Sequence, residues 1–159
     1  MPIVQWASSW QTEKSALKKI IGLYASANKG KTATLNKLID LLGIVADNCE
    51  LNRFSNDSSA YFEVLDKKVV ICTGGDFPQT IQNNITFAKN HNYDIFVTAT
   101  RTKGGTAAEL IDFTNQENAE IVWFQKEDDE TKNKLIASEL FSLIVKDIAP
   151  DFEKSIWNH

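Results

Sequence analysis

Short apolar runs alternate with stretches of helical periodicity along most of this chain, and that alternation limits the possible folds more than any other feature. Lys18 to Tyr24 (KKIIGLY) reads as a buried strand. Lys31 to Leu42 places Leu35, Leu38, Ile39 and Leu42 on one helical face, with Gly43 as its stop. Tyr61–Leu65 and Lys68–Cys72 are two apolar runs joined by Asp66-Lys67, the pattern of a hairpin or of neighbouring strands. A helix follows over Phe77 to His91, carrying Ile81, Ile85 and Ala88, and then a strand over Asp94 to Thr100. Thr106-Ala107-Ala108-Glu109 fits a capping box that opens the next helix. Ala119 to Phe124 is a further strand, and the acidic turn Glu127–Glu130 leads into a long helix ended by Pro150. Acidic residues at the start of that helix and Lys146 near its end suit the helix dipole.

Strands alternating with helices predict an α/β three-layer sandwich. Its mostly parallel sheet has about five strands, helices cover both faces, and the Tyr61–Cys72 pair supplies one antiparallel edge. The 159 residues fit a single domain, with residues 1–17 as an N-terminal extension or helix. Within that extension Trp6 and Trp10 lie four apart, a spacing that packs against the chain itself or meets a partner.

Composition removes several function classes. Seventeen basic against 21 acidic residues leave a net charge of −4, the wrong balance for a strongly basic nucleic-acid binder. A 43% hydrophobic, 24% charged mixture is that of a globular chain. No apolar stretch approaches the roughly 18 residues needed to cross a bilayer, and Met1–Trp10 lacks the basic start and apolar segment of a secretory signal. Cys49 and Cys72 make no disulfide framework, and with the scattered His91 and His159 they compose no zinc site. The expectation is a reduced, cytoplasmic protein without a membrane segment.

The segment that points to chemistry is Ala25-Ser26-Ala27-Asn28-Lys29-Gly30-Lys31-Thr32. It directly follows an apolar strand and directly opens an amphipathic helix. Small residues let backbone N–H groups converge on phosphate oxygens, and Gly30 allows close approach. The helix start adds unpaired donors and a positive dipole end. Lys31 supplies an ammonium for the outer phosphates, and Thr32 a hydroxyl for Mg²⁺. Basic residues at a helix start oppose the dipole, so Lys29 and Lys31 suit this place only beside an anion. Average residue usage would produce such a match in about one random chain in a hundred, so the position between strand and helix is what gives it weight.

Over Ile20 to Leu35 the chain resembles the P-loop NTPase superfamily, with Ala25 where the stricter pattern has glycine. The resemblance implies a P-loop NTPase-like fold, a nucleotide held at the carboxyl ends of parallel strands, and Mg²⁺. It also implies an acidic residue at the end of a neighbouring strand. There the chain departs from the pattern: Cys72 and Thr73 follow the apolar run, and Asp76 comes only after Gly74-Gly75. Asp76 is the candidate for the metal and for catalysis, and equally a candidate cap for a helix beginning at Phe77-Pro78. Asp57 is a weaker substitute. Gly74-Gly75 is similar to the glycine that P-loop GTPases place near the terminal phosphate. Their pattern wants aspartate at position 72, and Thr102-Lys103-Gly104-Gly105 lacks the aspartate that pairs with guanine, so adenine or an unselective site is expected.

Thr98 to Thr106 ends the Asp94–Thr100 strand on the edge that carries the phosphate loop, which aims Arg101 and Lys103 at the same crevice. Arg101 is the candidate for stabilising charge in phosphoryl transfer, and Lys103 for holding the ligand. His91, at a helix end between asparagines, suits dipole compensation better than a triad, and Asp128-Asp129 belong to a solvated charge run.

The resulting expectation is a protein that binds a nucleoside triphosphate, ATP first, and hydrolyses it slowly with Mg²⁺. That turnover would be coupled to a conformational or assembly role with a protein partner or a second copy, and the polar Asn52–Ser59 loop would be its mobile segment. A small-molecule or nucleotide kinase and a non-hydrolysing interaction subunit are the alternatives.

Overall fold

The computed structural model describes residues 17–25, 30–53, 57–101, 105–126 and 130–149. Along them run β1 (Lys19–Ala25), α1 (Lys31–Val45), β2 (Asn48–Arg53), β3 (Ser58–Val64), β4 (Lys67–Cys72) and α2 (Pro78–Asn90). Then come β5 (Ile95–Arg101), α3 (Thr106–Glu117), β6 (Glu120–Gln125), a 3-10 turn at Glu130–Lys132 and α4 (Asn133–Ile148). The sheet order is β2-β3-β4-β5-β1-β6. β4, β5, β1 and β6 run parallel, so their carboxyl ends share one edge, while β2 and β3 extend the sheet antiparallel beyond β4.

Alternate residues of the central strands enter two separate cores. Ile21 and Leu23 of β1, Val69 and Ile71 of β4, and Ile95 and Val97 of β5 pack with Leu35, Leu38 and Leu42 of α1 and Leu140 and Ile144 of α4. Their neighbours Ile20, Val70 and Phe96 join Ile81 and Ile85 of α2 and Leu110 and Phe113 of α3. Both faces of these strands are therefore covered, which is why they read as near-continuous apolar runs. The architecture is α/β, six mostly parallel strands with four helices, compatible with three layers. Among the described residues, no helix is long and apolar enough to cross a membrane.

The sheet has six strands where the sequence suggested about five: β3 is the expected antiparallel strand, and β2 is added beyond it. The unforeseen strand is β2, whose residues (NCELNR) are almost all exposed and carry no apolar alternation. It exists through its pairing with β3, and this turns much of the expected Asn52–Ser59 loop into paired strand. The β3–β4 hairpin turns at Leu65-Asp66, one residue before the expected pair; both residues have positive φ, the requirement of a two-residue hairpin turn. Gly43 does not stop α1, which continues to Val45. Nothing crowds a helical glycine there, and its cost of about 1 kcal/mol is absorbed by the buried face before it.

The capping box at Thr106 does not form. Gly105 is the N-cap of α3, the Thr106 hydroxyl accepts the Arg101 N–H at 2.9 Å, and Glu109 pairs with Gln82 of α2. No acidic residue sits in the first turn of α4, although Lys146 does occupy its last. His91 ends α2 as expected, its Nδ1 2.8 Å from the Phe87 carbonyl and its Nε2 2.9 Å from Glu50 of β2. Cys72 is buried, and Cys49 is exposed on β2. Trp6 and Trp10 lie outside the described residues.

Gly75 has no room for a side chain: a Cβ there would sit 1.8 Å from the Ala99 carbonyl oxygen of β5. Gly75→Ala is expected to destabilise the fold by at least about 1–3 kcal/mol, the range of overpacked substitutions. The measurement is the midpoint of urea unfolding, and an unchanged midpoint would show that the glycine turn and β5 do not approach so closely.

Candidate functional site

β1, β4 and β5 each end in a polar segment at the shared edge. β1 delivers Ala25, β5 delivers Thr100 and Arg101, and β4 runs into Thr73-Gly74-Gly75-Asp76. Backbone bonds hold the last of these in place. The Thr73 hydroxyl accepts the Ser58 N–H at 2.7 Å, and the Thr73 N–H donates to the Ser58 carbonyl at 2.9 Å. From α2, the buried Asn84 amide donates to the Gly74 carbonyl at 2.7 Å and to the Thr98 hydroxyl at 3.1 Å.

α1 opens at this edge. Gly30 is its N-cap, in the left-handed conformation with φ 80°, and no side chain caps the helix. The side chain of Asn133, at the start of α4, lies 3.3 Å from where a Cβ on Gly30 would stand. Left-handed φ and a crowded back wall both select glycine. The first-turn amides of α1 have no partners within the helix.

Lys31 sits beneath this turn, 5% exposed. Its ammonium donates to the Thr100 carbonyl at 2.9 Å, the Asp76 carboxylate at 3.1 Å and the Ala25 carbonyl at 3.3 Å. One side chain thus joins the ends of β1 and β5 to the glycine turn after β4. Burial holds its pKa below the usual lysine range. Asp76 works against that shift, and the nearby Arg101 charge adds to it.

A cleft of about 300 Å³ opens in front, lined by Gly30, Lys31, Thr32, Asp57, Gly74 and Asp76 among others. The Thr32 hydroxyl lies 3.4 Å from the Thr73 carbonyl and also reaches the Asp57 carboxylate. Burial raises the Asp57 pKa above the usual carboxylate range and the Asp76 charge adds to the rise, while the Thr32 hydroxyl opposes it. The cleft therefore sets one ammonium against two carboxylates.

The structure brings together Gly30, Lys31, Thr32 and Asp76, with Ala25 contributing its carbonyl from the end of β1. Asp76 is not a helix cap: Phe77 is the N-cap of α2, and the Asp76 carboxylate takes the Lys31 ammonium instead. Arg101 does not line this cleft; it lines a neighbouring cavity with Tyr24, Ala107 and Trp123. Ser26, Ala27, Asn28, Lys29 and Lys103 lie outside the described residues. Asp57 proves to be a full member of the cleft. Asn84 and Thr73 went unnoticed as its supports, and no local sequence pattern marks them. Among the described residues, no group of three or more His, Cys, Asp or Glu is arranged to hold a metal ion.

Because the folded state raises the Asp57 pKa, it binds that proton more tightly than the unfolded chain does. Folding is therefore favoured below the Asp57 titration and weakened as pH rises through it. Asp57→Asn is expected to raise the melting temperature at pH 7 in the absence of ligand, with the gain disappearing as pH falls below the ordinary carboxylate range. Melting curves from pH 4 to 8 check it, and a gain equal at all pH values would reject the charge-based account. Comparison with protein-family models, with curated proteins and with solved structures returned no match.

Proposed function

We propose that this chain binds a nucleoside triphosphate, ATP in the first instance, on a P-loop formed by residues 25–32 of a P-loop NTPase-like fold. In this account it hydrolyses the ligand slowly with Mg²⁺ in the service of a conformational or assembly role. The observation that carries the reading is the Lys31 ammonium, almost wholly buried at the positive end of a 15-residue helix. A cation there is opposed by the helix dipole and by desolvation, and an anion at the turn relieves both. Phosphates satisfy that requirement, since Gly30, Lys31 and Thr32 at the start of α1 line the same cleft.

The donor set also suits a magnesium ion. Thr32 offers a hydroxyl, and Asp57 and Asp76 carry more negative charge than one ammonium offsets. Mg²⁺ keeps several waters and needs only one or two carboxylates beside its phosphate ligands. Bound there, the metal would supply a Lewis acid that offsets phosphate charge. Lys31 contributes the fixed cation, Thr32 and Asp57 would hold the metal with Asp76 beside them, and Gly30 lets the backbone approach.

Slow turnover follows from the same residues. Asp76 is already paired with Lys31, and the end of β4 presents the buried thiol of Cys72 instead of a carboxylate. That leaves Asp57 as the sole unpaired carboxylate in the cleft among the described residues. The Cys72 position also favours a second reading, a non-hydrolysing interaction subunit that binds nucleotide without turnover. A small-molecule or nucleotide kinase is separated from both by phosphate release with and without a candidate acceptor.

The test is a thermal-shift panel of ATP, GTP, CTP and UTP with Mg²⁺. A ligand at 100 times its Kd adds about 2.7 kcal/mol, a rise of roughly 5–10 °C for a chain of this size. ATP is expected to give that rise, and Lys31→Ala to abolish it while keeping the native circular dichroism. Equal nucleotide affinity in Lys31→Ala would reject the site.

A further inference from the structure

We infer that the cavity between Tyr24, Arg101, Ala107 and Trp123 is a second ligand site, for a small molecule that joins an oxyanion to a flat ring. The cavity, about 320 Å³, has the size of a small-ligand pocket. It adjoins the phosphate cleft but belongs to the other side of the sheet. The cleft lies at the start of α1, whereas Ala107 is on α3 and Trp123 packs against the core that α2 and α3 cover.

Arg101 is partly buried at the end of β5, and no carboxylate pairs with it in any ion pair among the described residues. Its Nε is fully buried and has no hydrogen-bond partner. A buried guanidinium N–H without an acceptor is costly, and the planar fork matches a carboxylate or phosphate. The like charge of Lys31 nearby increases the need for an anion. α3 begins at Thr106, so the positive end of its dipole lies at the same rim.

Trp123 pairs with Gly22 across β1 and β6, and a Cβ on Gly22 would stand 2.4 Å from the indole. The glycine leaves room for the ring to lie over β1, where it meets Tyr24 edge-on with centroids 5.7 Å apart. Two aromatic walls at right angles offer one face and one edge to a third ring. The guanidinium beside them fixes which end of the ligand carries charge.

This inference does not rest on the reading of the phosphate cleft. Isothermal titration of the full chain with phenyl phosphate, benzoate, phenol and inorganic phosphate tests it. At least one ring-bearing anion is expected to bind tenfold or more tighter than both phenol and inorganic phosphate. That ligand loses tenfold or more in Arg101→Met and in Ala107→Phe, which fills the cavity from an α3 position while leaving the guanidinium in place. Saturating inorganic tripolyphosphate leaves it bound. Phenyl phosphate and benzoate together tell whether the preferred oxyanion is a phosphate or a carboxylate. The inference is overturned if neither ring-bearing anion surpasses the single-feature probes, if folded Ala107→Phe binds as the parent does, or if tripolyphosphate displaces the ligand.

Discussion

A single ammonium sets the geometry of the carboxyl edge. Lys31 reaches carbonyls at the ends of β1 and β5 and the carboxylate that follows β4, three chain segments far apart in sequence. Buried charge tolerates few arrangements, because every lost partner leaves part of the desolvation cost uncompensated. Its position therefore constrains where β1 ends, where Asp76 turns back and how α1 departs. Gly75, pressed against the backbone of β5, removes most of the remaining freedom from the Asp76 turn.

Much of the fold was legible because the central strands bury both faces. Ile20-Ile21, Val69-Val70-Ile71 and Ile95-Phe96-Val97 are apolar without interruption, and a parallel sheet covered by helices is what such runs dictate. β2 was not legible: its residues face solvent, and only the ladder to β3 makes them a strand. The helix end at Gly43 was misplaced for the opposite reason. A local breaker signal lost to the packing of the buried α1 face.

At the site, the glycine, lysine and threonine of the strand-to-helix turn were legible as a contiguous pattern. Asp57 was harder to place, since it enters the cleft through the pairing of Ser58 with Thr73, a contact between segments fifteen residues apart. Arg101 lies at the expected edge but lines the cavity beside Trp123. Which cavity a side chain enters depends on its neighbours, here Trp123 lying over Gly22, and no spacing rule encodes that.

The two cysteines differ in exposure. Cys49 stands exposed on the outermost strand, while Cys72 is enclosed between β4 and α2 with its thiol pushed up to about 12 by burial. An alkylating reagent meets one thiol in the native chain and a second only once β4 parts from its helix. The molecule thereby contains its own internal clock, in which the count of labelled sulfurs records how often the sheet opens.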